Sequence, residues 1–233
     1  MRVSAVFLDV DGVINDHALN PGMWDSLMGD ILAPRLGGEP GDWGRVNRIV
    51  FPRIWREQHT WGTDPIERIA TESRLILEGM CAGLGLEPPD PAACFELWRE
   101  VDLYIAKSGR AAYPFAAESI RALAGMTTVH TATGNPSWRI ELLLGALGVR
   151  EHVGFLAGPD LVGIWKNSIE YYQRVLERTG VAPAEALIVD DTAECLALAM
   201  EAGARGAHVI GEPCDCAASF HVPSLAEVAG LLS

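Results

Sequence analysis

Short apolar runs and helical patterns alternate over residues 1–16 and 112–233 of this 233-residue chain. An apolar run of four to eight residues bounded by turn signals is typical of a buried strand in a parallel sheet. The pattern predicts strands at the start of the chain and over 126–131, 153–158, 186–189 and 207–210. It predicts helices over 115–124, 138–147, 167–179, 195–202 and 225–232. Strands that alternate with helices through short connections predict an α/β domain with a doubly wound parallel sheet.

Residues 17–111 differ from the rest of the chain, because they carry almost no strand signal. Asp64 and Pro65 predict the start of a helix, with the aspartate as its cap and the proline at its first position. Another helix is predicted after Pro91, and a helical pattern over 46–55 contains a proline that disfavours a regular helix. We therefore predict a separate helical domain inserted into the α/β domain.

Composition and charge exclude several classes of partner. The chain is 49% hydrophobic and 21% charged, which is typical of an ordinary globular protein. Its formal net charge of −13 disfavours binding to nucleic acid or to an anionic membrane surface. Because no long apolar stretch is present and the first strand begins near the N-terminus, we expect no membrane span, no signal peptide and a cytoplasmic protein. Five scattered cysteines are expected to be free thiols, and the protein is expected to be a monomer or homodimer.

Polar residues at strand ends and helix starts carry the candidate chemistry. Because strand ends of one polarity meet at one edge of a parallel sheet, residues far apart in sequence can share a site there. The residues in such positions are Asp9 and Asp11 after the first strand, Thr131 at the end of a later strand, Lys166 before a helix, and Asp190 and Asp191 after another strand.

The aspartates of this set suit a hard cation and phosphorus chemistry. Asp9, Asp190 and Asp191 offer oxygen donors of the kind that Mg²⁺ binds together with water and phosphate. Asp9 can also attack phosphorus as a nucleophile. Asp11 is placed to act as a general acid and then as a base, if its surroundings raise its pKa.

Thr131 and Lys166 suit the binding of a phosphate group. The threonine offers a hydroxyl, the turn after it offers backbone N–H groups, and the lysine would neutralise charge. Each residue alone also has a structural explanation: an aspartate after a strand is a common cap or turn residue, and a lysine is commonly a solvated surface charge. The order and placement of the whole set favour the functional interpretation.

The same residues resemble the motifs of the haloacid dehalogenase superfamily. Residues 9–13, with the sequence DVDGV, look like its first motif, and Thr131 at a strand end is similar to its second. Lys166 resembles the third motif, and residues 189–191 followed by 202–204 resemble the fourth. The helical insertion looks like the cap of the beta-phosphoglucomutase and phosphatase branch.

This resemblance implies a Rossmann-like core with a helical cap, Mg²⁺ as cofactor and an aspartyl-phosphate intermediate. Asp9 would be the nucleophile and Asp11 the general acid and base, while Thr131 and Lys166 would bind phosphate. The metal ligands would be Asp9, the carbonyl of Asp11, Asp190 and Asp191. Substrate contacts are expected from Gly12, Thr131, Ala132, Asn135 and Lys166. The activity implied is a Mg²⁺-dependent phosphatase that hydrolyses a small phosphorylated metabolite.

Two positions depart from the family pattern. Cys195 stands where many members carry an aspartate, four residues after the metal-binding aspartate, and Asn167 follows the lysine where a proline is common. We expect the pair at 190–191 to compensate, and which of the two binds the metal directly stays open.

Other functions remain open from the sequence. A phosphomutase would use the same residues, and a protein that only binds phosphate or a signalling partner is a further alternative. A dehalogenase is disfavoured because a halide leaving group needs no proton from a second aspartate. Phosphonate cleavage and a receiver domain fit the motif pattern poorly. Candidates for substrate contacts in the helical domain are Arg53, Arg56, His59 and Trp61.

Overall fold

The computed structural model describes residues 3–57, 62–209 and 217–232. The chain divides into two compact units, one made of Met1–His17 with Ala111–Ser233 and the other of Ala18–Arg110. The sequence candidates His59 and Trp61 lie outside the described residues.

Within the described residues, the strands all belong to the first unit, whereas helices occur in both. The strands are β1 (Ala5–Leu8), β2 (Thr128–Ala132), β3 (Leu156–Ala157), β4 (Ala186–Asp190), β5 (Arg205–Val209) and β6 (Phe220–Val222). The helices are α1 (Asn20–Leu36), α2 (Pro40–Trp55), α3 (Pro65–Leu84), α4 (Pro91–Ser108), α5 (Ala116–Ala124), α6 (Ser137–Ala146), α7 (Pro159–Val162), α8 (Ile169–Thr179) and α9 (Ala193–Glu201). Over the same part of the chain, no helix has both the length and the apolar character needed to cross a membrane.

The first unit is built on a parallel sheet with the strand order β3-β2-β1-β4-β5-β6. Every residue of β1 is buried, because this strand lies between β2 and β4 and has packed layers on both faces. Val6 and Leu8 belong to one hydrophobic core, and Ala5 and Phe7 belong to the other. The alternation of side chains along a strand therefore explains why all four residues are apolar. The predicted fold class, a doubly wound parallel sheet with an inserted helical region, is confirmed.

The ends of the elements differ from the predicted ones in several places. The strand predicted over 153–158 is reduced to β3, and the short strand β6 at the edge of the sheet was not predicted. The last predicted helix is a 3-10 helix over Leu225–Leu232. Its buried residues Leu225 and Val228 are three positions apart, a spacing that places both on one side of a helix with three residues per turn.

The second unit consists of α1 to α4 around a hydrophobic core of its own. The predicted start of α3 is confirmed, because the carboxylate of Asp64 accepts hydrogen bonds from the backbone N–H groups of Ile66 and Glu67, both at 2.9 Å. Asp90 caps α4 in the same way. The interruption expected at Pro52 does not occur, since α2 continues through this exposed residue to Trp55.

Two glycines allow α1 and α2 to pack closely. A Cβ atom at Gly29 would lie 2.1 Å from the carbonyl oxygen of Pro40, and one at Gly44 would lie 2.1 Å from that of Asp25. Backbone atoms cannot move away as a flexible side chain can, so these two positions require glycine.

His130 makes the stability of the sheet depend on pH. Its Nδ1 accepts a hydrogen bond from the backbone N–H of Phe155 at 2.9 Å, and burial lowers its pKa below the ordinary value. The unfolded chain therefore binds a proton at higher pH than the folded protein does. We expect His130 to make its full contribution to the free energy of unfolding above about pH 6.5. This contribution should be lost as the pH falls below that value.

Urea unfolding of the wild type and of His130→Asn between neutral and mildly acidic pH measures this effect. The amide oxygen of asparagine can accept the same hydrogen bond without titrating, so the variant should lose less stability on acidification. Equal losses in the two proteins would contradict the assignment.

Candidate active site

The candidate site lies at the carboxyl ends of β1 and β4, in the first unit. Leu8 pairs with Val189, so Asp9 and Asp190 follow at equivalent positions of neighbouring strands. The backbone N–H of Asp9 donates to the carbonyl of Val189 at 2.9 Å. Asp9, Asp190 and Asp191 each offer a carboxylate oxygen, and the three oxygens lie within 4.8 Å of one another.

Lys166 reaches two of these carboxylates from the segment between α7 and α8. Its Nζ lies 2.8 Å from Asp9 Oδ1 and 2.6 Å from Asp190 Oδ2. The lysine is only 8% exposed. Burial lowers the pKa of Lys166, but the two carboxylates outweigh burial and hold it well above its ordinary value. The lysine is therefore charged at neutral pH.

Negative charge exceeds positive charge among these buried groups. Burial raises the pKa of Asp9 to about 6, with Lys166 opposing this rise and Asp190 adding to it. Oxygens that bind one Mg²⁺ at about 2.1 Å lie no more than about 4.2 Å apart, and the three carboxylate oxygens, all within 4.8 Å of one another, are close to this arrangement. An all-carboxylate donor set with one lysine fits a hard divalent cation.

Gly12 is required beside Asp191. It has a φ of 85°, and a Cβ atom there would lie 2.2 Å from Asp191 Oδ2 and 2.8 Å from His17 Nε2. The positive φ and the lack of space both favour glycine at this position. The predicted substrate contact of Gly12 stays a prediction, whereas its contribution to the shape of the site is clear from these distances.

Asp11 is held by two asparagines. Its Oδ1 accepts a hydrogen bond from Asn15 Nδ2 at 3.2 Å, and its Oδ2 accepts one from Asn135 Nδ2 at 3.0 Å. Burial raises the pKa of Asp11, but the charge of Arg139 and the two asparagine hydrogen bonds outweigh it and bring the pKa below its ordinary value. The surroundings therefore do not raise the pKa as a general acid would need, and they favour the ionised form.

Thr131 and Thr133 have different surroundings at the end of β2, and the predicted phosphate contact of Thr131 stays a prediction. Thr131 is paired with Leu8 inside the sheet, and its buried Oγ1 has no hydrogen-bond partner within the described part of the chain. Thr133 is the first residue after β2, and its Oγ1 accepts from Asn135 Nδ2 at 3.1 Å. Because Asn135 also donates to Asp11, the structure connects Thr133 to the site, and sequence reasoning missed this residue.

The remaining candidates for substrate contacts are divided between the two units. Ala132 is the last residue of β2, and Arg53 and Arg56 lie on the second unit. Burial raises the pKa of the Cys195 thiol to about 11, and its Sγ is not among the ligand atoms grouped with Asp9, Asp190 and Asp191.

Two histidines contact Asp191, and no spacing in the sequence pointed to either. His17 Nε2 lies 2.8 Å from Asp191 Oδ2. His208, on β5, lies with its Nε2 2.9 Å from the backbone carbonyl oxygen of Asp191. These contacts join residues that are 174 and 17 positions apart, so only the fold brings them together.

Solved structures with the same fold cover nearly the whole chain. The HAD-hydrolase YfnB of Bacillus subtilis, solved with magnesium bound, is 17% identical with a TM-score of 0.73, and the match covers 100% of this chain and 99% of that one. The L-2-haloacid dehalogenase of Xanthobacter autotrophicus, solved with chloropropionic acid covalently bound, is 18% identical with a TM-score of 0.66, covering 99% and 98%. A 2-haloacid dehalogenase from Pseudomonas syringae is 20% identical with a TM-score of 0.65, also covering 99% and 98%.

The sequence family is established by a separate comparison. No curated protein matches the chain significantly. The family described as haloacid dehalogenase-like hydrolase matches residues 3–203, which include all of the carboxylates and the lysine of the site. The chain belongs to the haloacid dehalogenase-like hydrolases.

Proposed function

We propose that this protein is a Mg²⁺-dependent phosphatase that hydrolyses a small phosphorylated metabolite. The observation that carries the proposal is the group formed by Asp9, Asp190 and Asp191 with Lys166 as the cation between the first two. A site of this composition attracts a phosphate ester only when a cation offsets its charge. Asp9, Asp190 and Asp191 would hold Mg²⁺, which would neutralise charge on the phosphoryl oxygens.

The proposed reaction has two steps. In the first, a carboxylate oxygen of Asp9 attacks phosphorus, the ester P–O bond breaks, and the leaving oxygen takes a proton from Asp11. In the second, water attacks the aspartyl phosphate, Asp11 takes a proton from the water, and the bond between phosphorus and Asp9 breaks. Lys166 holds Asp9 in place and offsets its charge.

The state of Asp11 favours the second step. Because its pKa is below the ordinary value, Asp11 is ionised at neutral pH, and the second step needs this form to take a proton from water. Protonation of the leaving group needs the minority acid form. A substrate with a good leaving group, such as p-nitrophenyl phosphate, therefore suits this site as a first probe.

Carbon–halogen hydrolysis is the competing proposal, since dehalogenases are among the proteins of the same fold. A halide leaves without a proton, and an anionic haloacid would be repelled by three carboxylates grouped at one lysine. The same charge is an advantage for a reaction that recruits a divalent cation. The carboxylate group therefore favours phosphate esters over haloacids.

One assay separates these functions. Purified protein is incubated with p-nitrophenyl phosphate, a panel of phosphorylated metabolites or 2-chloropropionate, each with Mg²⁺ or with excess EDTA. We expect inorganic phosphate from one or more esters only when Mg²⁺ is present, and no chloride release. Chloride release that persists in EDTA would support a dehalogenase, and conversion of a sugar phosphate without release of phosphate would support a mutase.

A further inference from the structure

The backbone carbonyl of Asp191 lies just beyond the paired part of the sheet. Asp190 is the last residue of β4 and pairs with His208 of β5. The chain then leaves the sheet, and the carbonyl of Asp191 needs a donor of another kind. His208 supplies it, with Nε2 at 2.9 Å from this oxygen. Because a carbonyl oxygen only accepts, Nε2 must carry the hydrogen.

The carboxylate of Asp191 is held less firmly than those of its neighbours. Asp9 and Asp190 are both anchored by buried Lys166, and Asp190 Oδ1 also accepts from the backbone N–H of Thr192 at 2.9 Å. The carboxylate of Asp191 contacts His17 Nε2 at 2.8 Å and accepts a long hydrogen bond from Thr192 Oγ1 at 3.4 Å, and the side chain of His17 is 62% exposed. Water competes for the hydrogen bonds of an exposed side chain, so such a side chain holds its acceptor weakly.

His208 is the buried anchor of this residue. It is 3% exposed, and its ring packs edge-on against His221 with the centroids 5.8 Å apart. A hydrogen bond to the Asp191 carbonyl restrains the peptide from which the Asp191 side chain projects. The direction of that side chain determines whether its carboxylate joins Asp9 and Asp190.

We propose that His208 is a positioning residue for the metal site: its Nε2–H group holds the Asp191 backbone so that the Asp191 carboxylate meets Asp9 and Asp190. This inference rests on the proposed Mg²⁺ dependence. In this role His208 acts through the backbone of Asp191 rather than by contact with the metal or the substrate. Residues that orient metal ligands in this way commonly change metal affinity by about 10- to 100-fold when they are replaced.

Mg²⁺ binding, measured by isothermal titration calorimetry without substrate, tests this proposal. His208→Phe keeps a ring and removes the donor, and His208→Gln keeps an N–H donor near the position of Nε2. His130→Phe is the matched control, because it removes another buried histidine of the same sheet that does not contact Asp191. Urea unfolding in EDTA compares the stabilities of all variants, and His208→Leu replaces the phenylalanine variant if that variant does not fold.

We expect the dissociation constant for Mg²⁺ to rise by about 10-fold or more in His208→Phe, and to stay within about threefold of the wild type in His208→Gln and His130→Phe. Unchanged affinity in His208→Phe, or equal losses in the phenylalanine and glutamine variants, would overturn the proposal. So would a wild type that binds no Mg²⁺. A wild type that binds Mg²⁺ but releases no phosphate from any ester would contradict the proposed function, and the Mg²⁺ affinities of the two His208 variants would still decide the role of His208.

Discussion

Asp9→Asn is expected to lower kcat for p-nitrophenyl phosphate by about 10⁴-fold or more, with little change in folding. The amide oxygen can still accept a hydrogen bond from Lys166, which lies 2.8 Å from Asp9 Oδ1 in the structure. The amide has neither the charge nor the nucleophilicity of a carboxylate, so the attack on phosphorus is lost. Steady-state release of p-nitrophenol in the presence of Mg²⁺ measures the effect.

Asp90→Asn is the matched control for this variant. It makes the same substitution at the N-terminus of α4, where asparagine also caps a helix well. We expect its activity to match that of the wild type. Undiminished turnover in Asp9→Asn would show that another group attacks the substrate.

Lys166→Met is expected to reduce the free energy of unfolding by about 3–5 kcal/mol in EDTA, because it leaves the carboxylates of Asp9 and Asp190 buried without their cation. Activity should also be lost. Added Mg²⁺ should restore part of the stability, since a bound divalent cation offsets the same charges. Urea unfolding with and without Mg²⁺ measures both effects.

The other lysine of the chain provides the control. Lys107 is exposed in the last turn of α4, and Lys107→Met should change the free energy of unfolding by no more than about 0.5 kcal/mol. Equal stability of Lys166→Met and Lys107→Met would contradict the paired, buried state of Lys166. Mg²⁺ should stabilise Lys166→Met more than the wild type. If it does not, the cation does not offset the carboxylate charges that lose their partner when the lysine is replaced.

The fold could be predicted because its strands are buried on both faces. A strand with apolar side chains on each side, such as β1, is visible as a continuous apolar run. Its end is also visible, since Asp9 cannot belong to a hydrophobic layer. The edge strand β6 contains only three residues and has one neighbour, so its sequence carries little signal.

The grouping of Asp9 and Asp190 could be expected because both lie at the carboxyl ends of strands in one parallel sheet, and Lys166 was expected beside them from its place before a helix and its resemblance to the third motif. What could not be predicted is the support around them. Thr131 and Thr133 are two residues apart with the same side chain, and only the end of β2 at Ala132 decides which one leaves the sheet.

The contacts of Asp11 and Asp191 could not be predicted from the sequence either. The lowered pKa of Asp11 depends on Arg139 and Asn135, which α6 and the turn before it bring back to the first strand. His208 contacts a backbone carbonyl, and any residue type offers such a carbonyl. Hydrogen bonds of this kind follow from register and loop geometry rather than from residue types.

Asp9 is expected to become phosphorylated during turnover. Protein mixed with substrate and Mg²⁺ is quenched in acid, digested and analysed by mass spectrometry, with Asp9→Asn as the blank. We expect the peptide that contains Asp9 to gain the mass of one phosphoryl group in the wild type and none in the variant. The phosphorylated fraction of this peptide should fall when substrate is removed. Turnover without a phosphorylated Asp9 peptide, or with the phosphoryl group on another residue, would contradict this mechanism.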